Sequence, residues 1–130
     1  MSVSMGQFGE ERAAVYLQEH GVRIVARNYR TRRGELDIVA QDGDTLCFVE
    51  VRLRTENSFG SPLETVVARK QRRLVYAAMQ YLARHSRTIN RYACRFDVIA
   101  VECTPMRITW LKNAFDLSAS MFSGISGIRC

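Results

Sequence analysis

Residues 34–52, GELDIVAQDGDTLCFVEVR, constrain the fold more than any other stretch. Two strand-length apolar runs, Glu35–Gln41 and Thr45–Leu53, flank Asp42-Gly43-Asp44. The Asp-Gly pair is a tight-hairpin signal, so the runs should be antiparallel neighbours. Alternation puts Leu36, Ile38 and Ala40 on one side of the first run, and Glu35, Asp37 and Val39 on the other. In the second run it separates Cys47, Val49, Val51 and Leu53 from Phe48, Glu50, Arg52 and Arg54. Pairing then brings Asp37 and Glu50 onto adjacent strands, and their parity can place both on one face.

Both carboxylates interrupt apolar surroundings. Two partly buried carboxylates close together repel, and one of them holds its proton more tightly. A hard divalent cation removes that conflict, because carboxylate oxygens suit Mg²⁺ or Mn²⁺. Arg52 shares the face of Glu50 and adds positive charge. The alternative is a structural network in which Arg52 and Arg54 neutralise Glu50 and Asp37 on an exposed sheet face.

The hairpin sits inside an alternation of helices and strands. Ser4-Met5-Gly6-Gln7 fits a capping box that opens a helix, and Gly21 closes it. Gly9, Ala13, Ala14, Tyr16 and Leu17 form its apolar stripe. Glu10 lies on that stripe, where a carboxylate costs free energy unless a charge meets it, and is a candidate third metal ligand. Val22–Tyr29 reads as a strand. Ser61-Pro62-Leu63-Glu64 is a second capping signature, for a helix to about Arg84 with Val67, Leu74, Ala78 and Tyr81 buried. Lys70 and Gln71 flank that buried face, and Arg69, Arg72 and Arg73 project to solvent. Tyr92–Glu102 and Arg107–Leu111 complete the strands. The order αβββαββ predicts one α/β domain over 1–115, a mixed sheet flanked by helices, with a tail at 116–130.

Charge is unevenly placed. The net +6 of the 130 residues comes from residues 65–95, which hold eight basic side chains and no acid. Residues 1–64 carry a net −2, and 96–130 balance. A one-sided cationic segment is a nucleic-acid footprint; a solvated helix in an Arg-rich chain is the plainer account. A hydrophobic content of 47% argues against disorder, and no apolar run is long enough for a membrane helix. No secretory signal opens the chain, so a cytoplasmic protein with reduced thiols is expected. Cys47, Cys94, Cys103 and Cys130 form no CxxC pair; Cys47 and Cys94 read as small core hydrophobes.

GELDIVAQDGDTLCFVEVR, with GEERAAVYL before it and FGSPLETVVARKQRRLVYAAMQYL and RFDVIAV after it, resembles the YraN-like family of bacterial proteins over about residues 6–112. That family in turn looks like the PD-(D/E)XK restriction-endonuclease-like superfamily, particularly archaeal Holliday-junction resolvases. The resemblance implies a restriction-endonuclease-like αβββαβ core. It implies that Glu10 is the helix-1 glutamate, Asp37 the aspartate, Glu50 the strand glutamate and Arg52 the lysine position of an E-x-K strand. Lys70 matches a basic residue of the YraN-like pattern. Leu36 stands where the superfamily has proline, a position without chemistry. Arg52 for lysine is the larger departure: it can steady a phosphate but cannot act as a base. The resolvases act as two-fold dimers, so a homodimer is a further expectation.

These readings converge on a metal-dependent nuclease acting on DNA, branched or damaged DNA included. Glu10, Asp37, Glu50 and Arg52 would be the catalytic set. Asp37, Glu50 and Glu10 would bind Mg²⁺ or Mn²⁺, and Arg69, Lys70, Arg72 and Arg73 would bind the nucleic acid. The competing readings are a nucleic-acid-binding protein that keeps the fold without turnover, and an assembly protein with an ion-pair network.

Overall fold

The computed structural model describes residues 4–54, 68–85 and 93–114. The expected tail 116–130, the capping signature at Ser61–Glu64, Val67 and Cys130 lie outside the described residues.

Helix α1 (Met5–Glu19) opens on the expected capping box. The Gln7 N–H donates to Ser4 Oγ and the Ser4 N–H donates to Gln7 Oε1, both at 3.1 Å. Two amide donors that a helix start leaves unpaired are thereby satisfied. Its buried residues are Gly9, Ala13, Ala14 and Leu17. The first three are small, so the helix axis approaches the sheet closely, and Gly9 lies directly against Leu53.

The strands are β1 (Arg23–Arg30), β2 (Glu35–Asp42), β3 (Thr45–Arg54), β4 (Ala93–Cys103) and β5 (Met106–Leu111). They form one sheet in the order β1-β2-β3-β4-β5. β1–β2, β2–β3 and β4–β5 are antiparallel, and β3–β4 is parallel. A parallel pair needs a crossover, and helix α2 (Ala68–Arg84) lies on the connection between β3 and β4. The sheet is therefore mixed, with the predicted αβββαββ order. Gly43, at φ +60°, turns the β2–β3 hairpin between the paired Asp42 and Thr45.

The helices cover opposite faces. Ala13, Ala14 and Leu17 of α1 pack with Ile38, Ala40, Cys47, Val49, Ile99 and Val101. Leu74, Ala78, Tyr81 and Leu82 of α2 pack with Val39, Phe48 and Phe96. Cys47 and Cys94 are buried, as expected, and burial pushes the Cys47 thiol up to about 12. Such a thiol stays protonated and inert.

Leu36 corrects one expectation. It joins the α2-side cluster with Val39 instead of sharing the α1 side with Ile38 and Ala40. The reason lies in the pairing, which runs from Asp42↔Thr45 only as far as Ile38↔Val49. Beyond that point the Val51 N–H donates to Asp37 Oδ2 at 2.8 Å. A side chain has replaced the ladder there, and strict alternation ends with the ladder.

Far from this point, the buried Asp97 accepts from Arg95 Nε, Trp110 Nε1 and the Asn113 N–H at 2.9–3.1 Å. Arg95 also donates to Asp42 at 2.7 Å, tying β4 to the β2 end. Burial works against the Arg95 charge, but the bonds to Asp97 and Asp42 outweigh it and raise its pKa. The Arg95 bond holds Asp42 below the usual carboxylate range. Arg95, counted in the basic segment, is thus a structural cation.

Candidate active-site cleft

Where the β2–β3 ladder ends, the two strands and α2 enclose a cleft of about 1200 Å³. Asp37 and Glu50 lie in its lining, 8% and 6% exposed. The predicted meeting of these residues across the hairpin is therefore present. Burial, then the charge of Glu50, pushes the Asp37 carboxyl up to about 8. The Val51 N–H pulls in the opposite direction, while Glu10 and Glu35 add to the rise.

Lys70 reaches down from α2, and its Nζ lies 2.5 Å from Glu50 Oε1. The sequence could place Lys70 beside the buried helix face but could not give its reach. Arg72 and Arg73, from the same helix turn, also line the cleft. The side chain of Arg69 lies outside the described residues.

Two expected members stand apart. Glu10 is half-buried and close enough for Asp37 to feel its charge, yet it does not line the cleft. Arg52 does not line it either; the cation paired with Glu50 in the cleft is Lys70 rather than the residue at the E-x-K position. Among the described residues, no three His, Cys, Asp or Glu side chains converge as a metal-binding group. Asp37 and Glu50 remain as a pair of oxygen donors whose mutual repulsion a hard cation would relieve, so they fit Mg²⁺ or Mn²⁺.

The opposite wall was not foreseen. Arg30, at the end of β1, and Arg32 and Arg33, from the β1–β2 connection, line the cleft with α2. The signal was present as three arginines in four residues before the first strand of the hairpin, but nearby acids masked it in the net charge. Thr31 organises this connection. Its Oγ1 donates to the Gly34 carbonyl at 2.7 Å and accepts the Gly34 N–H at 3.0 Å. The Arg33 guanidinium lies 5.2 Å from the Tyr76 ring centroid, joining the two walls.

Gly34 sits directly on the α2 backbone, and a Cβ there would collide with the Arg73 carbonyl oxygen. Backbone cannot move aside as a flexible side chain can. Gly34→Ala should therefore push the loop off the helix at a cost of about 1–3 kcal/mol. We expect a lower melting temperature, read by thermal denaturation. An unchanged melting temperature would show that the loop shifts off the helix without cost.

Comparison with known proteins adds a family relation. The model of the family described as "Uncharacterised protein family UPF0102" matches residues 9–101. A UPF0102 protein of Chromohalobacter salexigens is 50% identical over 109 residues, covering 82% of this chain and 86% of its own. One from Pseudomonas fluorescens is 44% identical over 111 residues, 85% of this chain and 92% of its own. One from Legionella pneumophila is 39% identical over 116 residues, 89% and 98% of the two chains. The matched span contains every residue of the cleft described above.

Proposed function

The chain belongs to the UPF0102 family, and from its cleft we propose that it is a divalent-metal-dependent nuclease acting on the phosphodiester bonds of DNA. The observation that carries this reading is a buried carboxylate pair on the floor of a cleft walled by five arginines and a lysine. Burying like charges together costs stability, and gathering guanidinium groups across a gap does so too. A metal ion at the carboxylates and a phosphate backbone between the arginines offset both costs. The αβββαββ order agrees with the restriction-endonuclease-like superfamily that the sequence resembles.

Asp37 and Glu50 would hold Mg²⁺ or Mn²⁺. Bound there, the ion would supply an activated water and charge for the leaving oxygen. The protein's own groups do the rest. The Lys70 ammonium fixes the Glu50 carboxylate and offers positive charge where phosphate charge develops. The Arg30, Arg32, Arg33, Arg72 and Arg73 guanidinium groups hold the backbone on both sides, without reading sequence.

The direct test offers duplex, flap and four-way-junction DNA with Mg²⁺ or Mn²⁺. Cleavage is expected with either ion, and Asp37→Ala or Glu50→Ala should abolish it while leaving DNA binding in place. Cleavage that persists in both variants sinks the assignment. One observation favours a second reading, binding without turnover: the E-x-K position holds Arg52, outside the cleft. That reading expects salt-sensitive binding and no cleavage with any divalent ion.

A further inference from the structure

A second cavity, of about 630 Å³, is lined by Val25, Ala26, Tyr29, Tyr81, Arg84 and His85. It opens widely to solvent. Three of its lining residues are aromatic: Tyr81 is a core residue at 4% exposure, so the half-buried Tyr29 and His85 are the rings a ligand would meet. The Tyr29 and Tyr81 rings meet edge to face at 5.2 Å. The His85 ring stacks on Tyr81 at 4.1 Å, and His85 Nδ1 is 2.8 Å from the Tyr81 carbonyl oxygen. Arg84 is exposed at the rim and has no ion-pair partner among the described residues. Among the described residues, no acidic side chain lines this cavity.

The cavity neighbours the cleft along the same two elements. On β1, Arg30 lines the cleft and its neighbour Tyr29 lines the cavity. On α2, Tyr76 lines the cleft and Tyr81, further along the same helix, lines the cavity. Both sites therefore lie along one seam between β1 and α2. From Arg73 to Arg84 the helix rises about 16 Å, the axial length of about five stacked nucleotides in one strand.

We propose that this cavity is a nucleotide subsite for a single-stranded extension of the nucleic acid held in the cleft. A base stacks against the aromatic wall beside Val25, and Arg84 meets the adjoining phosphate. Aromatic walls with a cationic rim suit this ligand because every base offers a π-face and every linkage a negative charge. The inference rests on the cleft binding nucleic acid, and it names the substrate class as DNA with a single-stranded segment.

The test uses the full chain and labelled single strands of 4, 8 and 12 nucleotides, in Ca²⁺ to prevent turnover, read by fluorescence anisotropy. Wild type should gain affinity steeply between the shortest strand and the longer ones. Arg84→Glu, on α2, and Val25→Asp, on β1, change exposed residues on opposite sides of the cavity. Each should reduce that gain at least about fivefold and leave 4-nucleotide binding unchanged, a loss typical of one stacking or charge contact. A gain unaffected by both variants overturns the proposal and leaves the cavity to another class of partner. A gain sensitive to Arg84→Glu alone overturns base insertion. If wild type binds neither these strands nor duplex DNA, the reading of the cleft itself fails, and this inference with it; duplex binding with no gain from longer single strands overturns the subsite alone.

Discussion

Lys70→Met is expected to lower DNA cleavage at saturating Mn²⁺ by at least about a hundredfold, the loss typical of removing one group that stabilises transition-state charge. The Lys70 ammonium is the cation paired with Glu50 inside the cleft. Glu50 is 7% exposed at its side chain, so it cannot be rehydrated where it stands. Removing one partner of such a pair leaves a buried charge, at a cost of about 3–5 kcal/mol in full burial. Lys70 is 44% exposed, so water already screens part of the pair and the lower end of that range applies. The variant should therefore melt lower without metal and recover most of the loss with Mn²⁺, which would replace the missing positive charge. Its cleavage rate should not recover. Lys70→Arg separates charge from geometry: a planar fork should preserve DNA affinity and restore only part of the rate. Single-turnover rates and melting temperatures with and without Mn²⁺ check both. Full activity in Lys70→Met would remove this lysine from the chemistry and return attention to Arg52.

The contrast between Lys70 and the loop arginines shows what was legible in advance. The hairpin, the capping box of α1 and the shared face of Asp37 and Glu50 depend on short-range periodicity and turn chemistry. All three follow from residues within one or two elements. The assignment of Leu36 failed because a carboxylate, rather than a strand partner, takes the Val51 N–H at the end of the ladder. Arg30, Arg32 and Arg33 were missed because their role depends on a contact remote in sequence, the seating of Gly34 on Arg73. The basic segment 65–95 was legible only as a total. Folding divides it: Lys70, Arg72 and Arg73 go to the cleft, Arg84 to a separate cavity, and Arg95 to the Asp97 network. Charge along a chain is one-dimensional, and the sheet and α2 redistribute it.

Asp37→Asn is expected to stabilise the protein at pH 8 and to do so much less at pH 4. The Asp37 carboxyl is raised from 3.8 to about 8, by burial first and by the Glu50 charge second. A raised pKa means that the folded chain binds this proton more tightly than the unfolded chain does. Between about pH 4 and pH 8 the folded state thus holds more protons, and its stability falls as pH rises. The slope approaches about 1.4 kcal/mol per pH unit where the proton is fully bound in one state and absent in the other. Asparagine keeps an oxygen to accept the Val51 N–H but has no charge to bury, so this contribution disappears. Denaturant midpoints at pH 5, 6.5 and 8 should fall steadily for wild type and more shallowly for Asp37→Asn; parallel curves would refute a buried, charge-strained Asp37. Divalent cations should act in the opposite sense. Mg²⁺ or Mn²⁺ binding the folded state alone would raise the wild-type midpoint most at pH 8, where Asp37 gives up its proton readily. The variant, missing one of the two ligands, should show little response. Stability lost with rising pH without metal, and metal rescue at high pH, would then be two measurements of one feature, a carboxylate pair that the fold buries together against its own repulsion.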